Sequence, residues 1–282
     1  NYRYADTAGR ELNVDADYGV FRIKNDQLQP NYYYKADGTT KLSEYIYNFI
    51  SPTDIDIYSI KADYSQNVKK SKLGVGFKNS LVNTGNHFGR YNVIGGTKQL
   101  DVTRSNQFDY RENINAVYLT YNTPLKKGTS LQAGVRMENT NVHGDSYPLN
   151  FDGSVDKSSR QRFKKNYTDL FPSASLNFAK NPMKQWSIAY SRRIDRPAYQ
   201  DLNPFEFKLD EYTYQKGNIN LRPQYTNSFS LTNVYKYKLT TKLNYSHVAD
   251  MFTQLVDTAE KSKSFISKQN LATQNITSLN IS

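Results

Sequence analysis

The stretch Leu131-Gln-Ala-Gly-Val-Arg-Met-Glu138 alternates apolar residues with small or polar ones at every step. Side chains of a β-strand project alternately to its two faces, so a period of two is typical of a strand with one apolar face. The same period recurs in residues 58–64, 73–77 and 186–190, among others. The sequence shows no comparable helical stripe. It therefore predicts an all-β protein.

The composition is polar overall but rich in aromatic residues. Hydrophobic residues make up 37% of the 282 residues, aromatic residues reach 14%, and the mean hydropathy is −0.77. A disordered chain is poor in aromatic residues, so this composition predicts a folded one. No run of apolar residues approaches the ~18 that a spanning helix needs. A membrane barrel needs strands of only about 9–11 residues with every second one facing lipid, so it tolerates a polar composition.

Charge and cysteine content narrow the classes of partner and site. The chain has no Cys, which excludes disulfides, thiolate metal sites and cysteine nucleophiles. Its net charge of +11 is compatible with nucleic-acid binding. The Lys and Arg residues are scattered, however, and several lie in apparent tight turns such as 69–72 and 126–127. We therefore expect solvated turns and no nucleic-acid partner.

The lengths of the connections favour a barrel over a soluble sandwich, because short turns alternate with long polar segments. The short turns are near 7–10, 68–71, 125–128, 181–184 and 238–240, and the long segments are 25–53, 84–106, 143–165, 195–224 and a shorter one near 255–262. This alternation is typical of an antiparallel up-and-down transmembrane β-barrel with tight turns on the periplasmic side and long loops outside. Counting the alternating runs predicts about eleven strands, the first at 1–5 and the last from about 263.

Parity assigns the two faces of these strands. In an outer-membrane barrel the apolar face contacts lipid and the polar face lines the lumen. Arg136 and Arg193 then project into the lumen. The side chains predicted to face lipid are Leu73, Val75, Phe77, Leu131, Val135, Trp186, Ile188 and Tyr190. In the alternative interpretation, the chain is a soluble all-β carbohydrate-binding or adhesion module whose apolar faces form a core.

Three motifs in the second half of the chain resemble those of a known family. They are Asn166-Tyr-Thr-Asp-Leu-Phe-Pro-Ser-Ala-Ser-Leu-Asn-Phe178, Ser191-Arg-Arg-Ile-Asp-Arg-Pro-Ala-Tyr-Gln-Asp-Leu-Asn-Pro-Phe205 and Gly217-Asn-Ile-Asn-Leu-Arg-Pro-Gln-Tyr-Thr226. In this order they resemble the TonB-dependent outer-membrane receptors, specifically the outer-membrane β-barrel family common in Bacteroidetes. Ile219 stands where Pro is usual in this family, and Gln224 stands where Glu is frequent.

This resemblance implies a receptor of the bacterial outer membrane that binds a substrate at its outer loops and admits it to the periplasm with TonB-derived energy. Its expected partners are outer-membrane lipid, an unknown small ligand, and the inner-membrane TonB complex acting through a plug domain. Family barrels have roughly 22 strands. Residues 1–282 are therefore expected to be a single β-barrel segment, a fragment without the plug and the C-terminal strands.

Ligand-binding candidates come from loop position and parity. The loop 195–224 gathers aromatic residues on the predicted outer side, and the candidates are Tyr199, Phe205, Tyr212 and Tyr214 together with Arg136 and Arg193. In the alternative, these aromatic residues pack the loop or form an interfacial belt. We predict no catalytic residues, cofactor or metal site, because the three His residues are dispersed. The sequence leaves the substrate open, since one scaffold serves many ligands.

Overall fold

The computed structural model describes residues 1–209, 212–260 and 263–282. Its strands are β1 (Tyr2–Ala5), β2 (Arg10–Ile23), β3 (Asp26–Tyr34), β4 (Lys41–Ile50), β5 (Thr53–Val68), β6 (Ser71–Ile94), β7 (Thr97–Leu100), β8 (Asn106–Pro124), β9 (Thr129–Pro148), β10 (Gln161–Asn181), β11 (Lys184–Asp195), β12 (Glu206–Lys208), β13 (Thr213–Lys216), β14 (Gln224–Tyr235), β15 (Leu239–Glu260) and β16 (Lys263–Ile281). One four-residue helix, α1 (Tyr199–Leu202), and two single-turn 3-10 helices (Val102–Arg104 and Lys126–Gly128) are also present. No helix in these described ranges is long and apolar enough to cross a membrane.

Eleven of the strands form one antiparallel meander. Their order in the sheet is β1-β2-β5-β6-β8-β9-β10-β11-β14-β15-β16, so each pairs with the next meander strand along the chain. The pairing is long: β8 and β9 stay in register from Asn106↔Pro148 to Pro124↔Ser130. The predicted antiparallel meander of about eleven strands is confirmed, and all its strands except the short β1 are far longer than the five or six residues common in globular sheets.

Tight turns join alternate pairs of meander strands at one end of the sheet. They are residues 6–9, 69–70, 125–128, 182–183 and 236–238, which confirms the predicted short turns. Lys236 and Tyr237 both have positive φ, at 50° and 57°. Two successive positive φ values give a turn whose twist matches that of the flanking strands.

The long connections contain five further strands, which the sequence did not predict. Strands β3 and β4 form a hairpin, β7 turns back onto β6, and β12 and β13 form a second hairpin. Strands β6 and β9 continue to Ile94 and Pro148, well into segments expected to be loops. These extensions lack a regular alternation of apolar and polar residues, so they carry no clear hydropathy signal although their backbone ladders continue. Residues 210, 211, 261 and 262 of the predicted loops lie outside the described residues.

The eight side chains predicted to face lipid share one face of the sheet, which we call the outer face. One row of aligned positions holds Leu131, Leu176, Ile188, Leu231 and Leu243. A second row holds Leu73, Tyr121, Ala133, Ala174 and Tyr190. Six of the eight are between 38% and 51% exposed, so the outer face is an uncovered apolar surface.

A row of amides ends the apolar part of the outer face. Asn79, Asn115, Asn139 and Thr168 occupy aligned positions on β6, β8, β9 and β10. Asn79 Nδ2 donates to Asn115 Oδ1 at 2.6 Å, and Asn139 Nδ2 donates to Thr168 Oγ1 at 2.9 Å. The preceding outer-face row is apolar: it holds Phe77, Val117, Met137 and Leu170. On β8, β9 and β10 the surface thus changes from apolar to hydrogen-bonded polar within two residues, whereas on β5 it stays apolar at Ile60, the register partner of Asn79.

Candidate binding cleft on the inner face

The described part of residues 196–223, namely 196–209 and 212–223 and here called the inner loop, folds back onto the inner face of the sheet, which is the face opposite the outer face. Leu202 of α1 and Leu221 are 2% and 0% exposed. They pack in one cluster with four side chains of β8, β9 and β10, namely Phe108, Tyr110, Val142 and Phe163. Full burial of a leucine contributes about 1.5–3 kcal/mol. This loop core therefore holds the inner loop against the wall of the sheet.

A charged group anchors the start of the inner loop beside the loop core. Arg196 Nη2 donates to Glu138 Oε2 at 2.6 Å and to Thr140 Oγ1 at 3.0 Å. Arg136 Nε donates to the other carboxylate oxygen, Glu138 Oε1, at 2.5 Å. Glu138 is only 9% exposed and Thr140 is fully buried. Two guanidinium groups thus share one buried carboxylate, which would be costly to leave unpaired.

The two family-like motifs of the inner loop contact each other through the backbone. A Cβ atom on Gly217 would lie 2.1 Å from the carbonyl oxygen of Asn203, so only glycine allows this approach. The N–H of Asn218 donates to the carbonyl of Asp201 at 2.6 Å. The glycine is therefore required for loop closure, because a side chain would separate the two motifs.

The hairpin of β12 and β13 extends the inner loop to both flanks of the sheet. On one side, the Phe207 ring is 5.0 Å from that of Phe88 on β6. On the other side, β13 pairs in parallel with β16 over residues 213–215, and the Tyr214 ring stacks 5.5 Å from Phe265. Six strands separate β6 from β16 in the sheet. The sheet must curve around the inner loop for one hairpin to contact both strands.

A cleft of about 450 Å³ lies between the inner loop, the β3–β4 hairpin and strands β5, β6 and β8. Its described lining consists of aromatic rings, amides and small residues: Ile23, Asn25, Gln27, Phe49, Ser51, Thr53, Asn86, Phe88, Asn106, Tyr199, Gln200, Asn203, Phe205, Phe207, Gln215 and Gly217. Ligand pockets commonly measure about 300–1,000 Å³. The cleft is therefore large enough for a small ligand.

Asn106 lies at the back of the cleft and is 1% exposed. Its Nδ2 donates to Ser146 Oγ at 3.1 Å and to Asn203 Oδ1 at 3.3 Å. Its Oδ1 is buried and has no hydrogen-bond partner among the residues that the structure describes, and of the buried atoms in that condition it is the one whose residue lines the cleft. If the Asn106 amide were rotated by 180°, its Nδ2 would occupy this position in place of Oδ1 and would equally lack a partner among the described residues. A buried polar group without a partner costs about 1–3 kcal/mol.

The structure distributes the six predicted ligand-binding residues over different environments. Tyr199 and Phe205 line the cleft. Tyr214 is 5% exposed and packs the hairpin, while Tyr212 is 62% exposed and is not among the described lining residues. Arg136 is paired with Glu138. Arg193 is exposed on β11 and forms no ion pair with any residue that the structure describes.

Sequence reasoning missed the inner-face residues that complete the site. Asn106 and Phe88 project to the inner face of their strands, and parity could have placed them there. Arg196, three residues after the predicted Arg193, is the arginine that anchors the inner loop. Its position before Pro197 in the second motif was the only available signal.

A curved meander of long antiparallel strands, with tight turns at one end and an apolar outer face, is the fold of an outer-membrane β-barrel. The chain belongs to the outer membrane protein beta-barrel family, whose model matches residues 3–282. No curated protein matches the chain. The resemblance stated from the motifs and the location in the bacterial outer membrane are confirmed. Membership in this family decides against the soluble carbohydrate-binding or adhesion module.

Solved structures with the same fold are uptake receptors. The ferric yersiniabactin uptake receptor FyuA from Yersinia pestis is 11% identical with a TM-score of 0.63, covering 99% of this chain and 38% of that one. The ferric-catecholate import receptor Fiu from K12 E. coli is 12% identical with a TM-score of 0.62, covering 100% and 46%. The ferric citrate transporter FecA is 13% identical with a TM-score of 0.56, covering 99% and 37%. The chain thus spans less than half the length of these receptors, and the likeness shows the fold alone.

Proposed function

We propose that the whole protein is a receptor that binds a small ligand in the cleft and admits it across the outer membrane with energy from TonB. The cleft carries this proposal. The cleft lies on the inner face of the sheet, and the inner loop forms one of its sides. A ligand bound there is inside the barrel rather than on its rim. The role is transport, without catalysis.

The outer face supports the membrane part of this proposal. The eight side chains from Leu73 to Tyr190 share an exposed apolar surface and are proposed to contact lipid. The row of hydrogen-bonded amides at Asn79, Asn115 and Asn139 is then the boundary of the lipid region on the side of the long loops. In this orientation the tight turns face the periplasm and the cleft opens to the outside.

A polar track on the inner face supports passage. Asp63 pairs with Lys61 and accepts a hydrogen bond from the Tyr118 hydroxyl. The Arg136 guanidinium lies 5.2 Å from the centre of the Tyr118 ring and pairs with Glu138. Such groups keep the inner face hydrated below the cleft. Coupling to TonB requires a plug domain, which we assign to the part of the receptor beyond these residues.

The experiment uses the complete receptor in cells. Glu206 and Lys216 are register partners, so residues 207–215 can be replaced by Asn-Gly in a two-residue turn. Cells are offered a mixture of ferric siderophores, neutral oligosaccharides and short peptides, and depletion of each compound from the medium is measured by mass spectrometry. We expect the parent receptor to deplete at least one compound, only in cells with a functional TonB, and the shortened variant to fail.

Two controls isolate the cleft. Leu149 and Val155 form an isolated bridge, so replacing residues 150–154 by Asn-Gly shortens a loop that does not line the cleft. Tyr190→Ala changes the outer face only. Both variants should deplete the same compound as the parent. Equal depletion in cells without TonB, or by the variant that lacks residues 207–215, would contradict the proposal.

A further inference from the structure

The described lining of the cleft carries no charged side chain. Charged residues make up 22% of the chain, and ion pairs such as Arg136 with Glu138 lie elsewhere on the inner face. A charged ligand that lost its water here would meet no countercharge among these residues, and burying an unpaired charge is costly. The lining therefore favours an uncharged ligand.

Amides dominate the polar part of this lining. Asn25, Gln27, Asn86, Asn106, Gln200, Asn203 and Gln215 contribute seven of them. Each amide carries donors and an acceptor on one group, and a hydroxyl is likewise both donor and acceptor. The Oδ1 of Asn106 adds a buried acceptor that no described residue pairs. A ligand rich in hydroxyl groups matches this set, because it can donate to the oxygens and accept from the nitrogens.

Aromatic rings form the apolar side of the cleft. Phe205 and Phe207 are half-buried, and their rings lie 6.0 Å and 5.0 Å from the ring of Phe88. Phe88 and Phe49 are 8% and 5% exposed. Phe88 packs against the rings of Phe205 and Phe207, and Phe49 packs against Phe207, so these two buried rings fix the position of the more exposed pair. Ring faces present flat apolar surfaces with a negative quadrupole, which suit the C–H face of a sugar ring.

We propose that the cleft takes a short neutral oligosaccharide, with a sugar ring on Phe207 or Phe205 and its hydroxyl groups on the amides. This assignment rests on the proposed function and names the substrate class of the same site. A short peptide carries a charge at each terminus, and a ferric tricatecholate carries net negative charge because three doubly charged catecholates exceed the charge of Fe³⁺. Neither finds a partner charge in the described lining.

The test is calorimetric titration of the purified complete receptor in detergent with defined probes. They are neutral hexasaccharides of glucose, mannose and xylose, an oligogalacturonate of the same length, a ferric tricatecholate and an uncharged-side-chain tripeptide. We expect at least one neutral hexasaccharide to bind at least tenfold more tightly than the three charged probes. Phe207→Leu keeps apolar volume but removes the flat ring, and it should weaken that binding about tenfold.

Asn106→Leu removes the buried amide at nearly constant size and should weaken the same binding about three- to tenfold. The controls are Phe151→Leu, at a loop position 87% exposed, and Asn233→Leu, at a half-buried asparagine of β14 outside the described lining. Both should leave affinity unchanged. Heat-modifiable gel mobility verifies that each variant is folded, and Gln200→Leu at the exposed rim replaces Asn106→Leu if that variant does not fold.

The outcomes separate this inference from the proposed function. If the ferric chelate or the tripeptide binds most tightly and Phe207→Leu abolishes that binding, the substrate class is wrong and the cleft remains the site. If no neutral hexasaccharide binds, or if Phe207→Leu and Asn106→Leu both bind it as tightly as the parent receptor does, the inference is overturned. Loss of TonB dependence in the cell assay contradicts only the proposed transport.

Discussion

Replacing Leu221 by alanine tests whether the inner loop is held by the loop core. Leu221 is fully buried between the loop and the wall of β8, β9 and β10. Large-to-small substitutions of this kind cost about 2–5 kcal/mol, through lost burial and the cavity left behind. The wall is held by its own ladders of backbone hydrogen bonds, so the loss falls on docking of the loop rather than on the strands.

This loss converts to a measurable change in loop opening. Each 1.4 kcal/mol is about tenfold in an equilibrium constant. A cost of about 2–5 kcal/mol should therefore increase the population of the undocked loop by a factor of about 30 to several thousand. Hydrogen exchange followed by mass spectrometry on the complete receptor in detergent reads this directly. Peptides covering residues 198–205 and 217–223 should lose protection, while peptides within β8 and β9 should keep it.

A leucine on the outer face is the matched control. Leu243→Ala removes the same atoms from a side chain that is 44% exposed, and protection of the inner loop should not change. Unchanged loop protection in Leu221→Ala would show that the loop core does not hold the loop. An equal loss over β8 and β9 would show that loop and wall unfold as one unit.

Three further predictions concern charge. Arg196→Ala leaves the Glu138 carboxylate with one partner fewer and should destabilise loop docking by about 2–5 kcal/mol, whereas Arg193→Ala should leave hydrogen exchange of the loop unchanged. Val135→Arg on the outer face should cost about 2–4 kcal/mol in denaturant titrations of folding into lipid vesicles, and an arginine tolerated there would reverse the assignment of the faces. Hydrogen bonds from Thr40 and Thr39 lower the pKa of Asp37 to about 2. Because this pKa is depressed, the tip of the β3–β4 hairpin should keep its exchange protection at pH 5 and lose it only as the pH falls through the range from about 4 to about 2, a change that Asp37→Ala should abolish.

The meander could be predicted from the sequence because membrane strands alternate under a strong constraint. Lipid demands an apolar side chain at every second position, so residues 131–138 and 186–190 show their faces directly. The strand ends could not be predicted as well. Beyond the amide row, β6 continues to Ile94 without a regular apolar alternation, and its ladders with β8, β4 and β7 define it as a strand.

The candidate site was partly predictable for a different reason. Loop position selected Tyr199 and Phe205, which both line the cleft, and parity selected Arg136 as an inner-face residue. The cleft depends on where the inner loop docks, and docking depends on contacts between residues up to 180 positions apart, such as Gln29 Nε2 with the carbonyl of Leu209. No local pattern in the sequence encodes such a contact, so Asn106 and Phe88 remained unrecognised.

The hairpin of β12 and β13 also has a mechanical consequence. It connects β6 to β16 across the interior, as a chord connects two points on an arc. A curved sheet without such a connection can flatten or bend further by small changes in the twist of each strand pair. With it, the opening of the arc requires that either the Phe207 contact or the parallel pairing with β16 break. The element that forms one side of the cleft therefore also limits the curvature of the sheet around it. A ligand that displaced the hairpin would remove this limit on curvature from all six intervening strands at once.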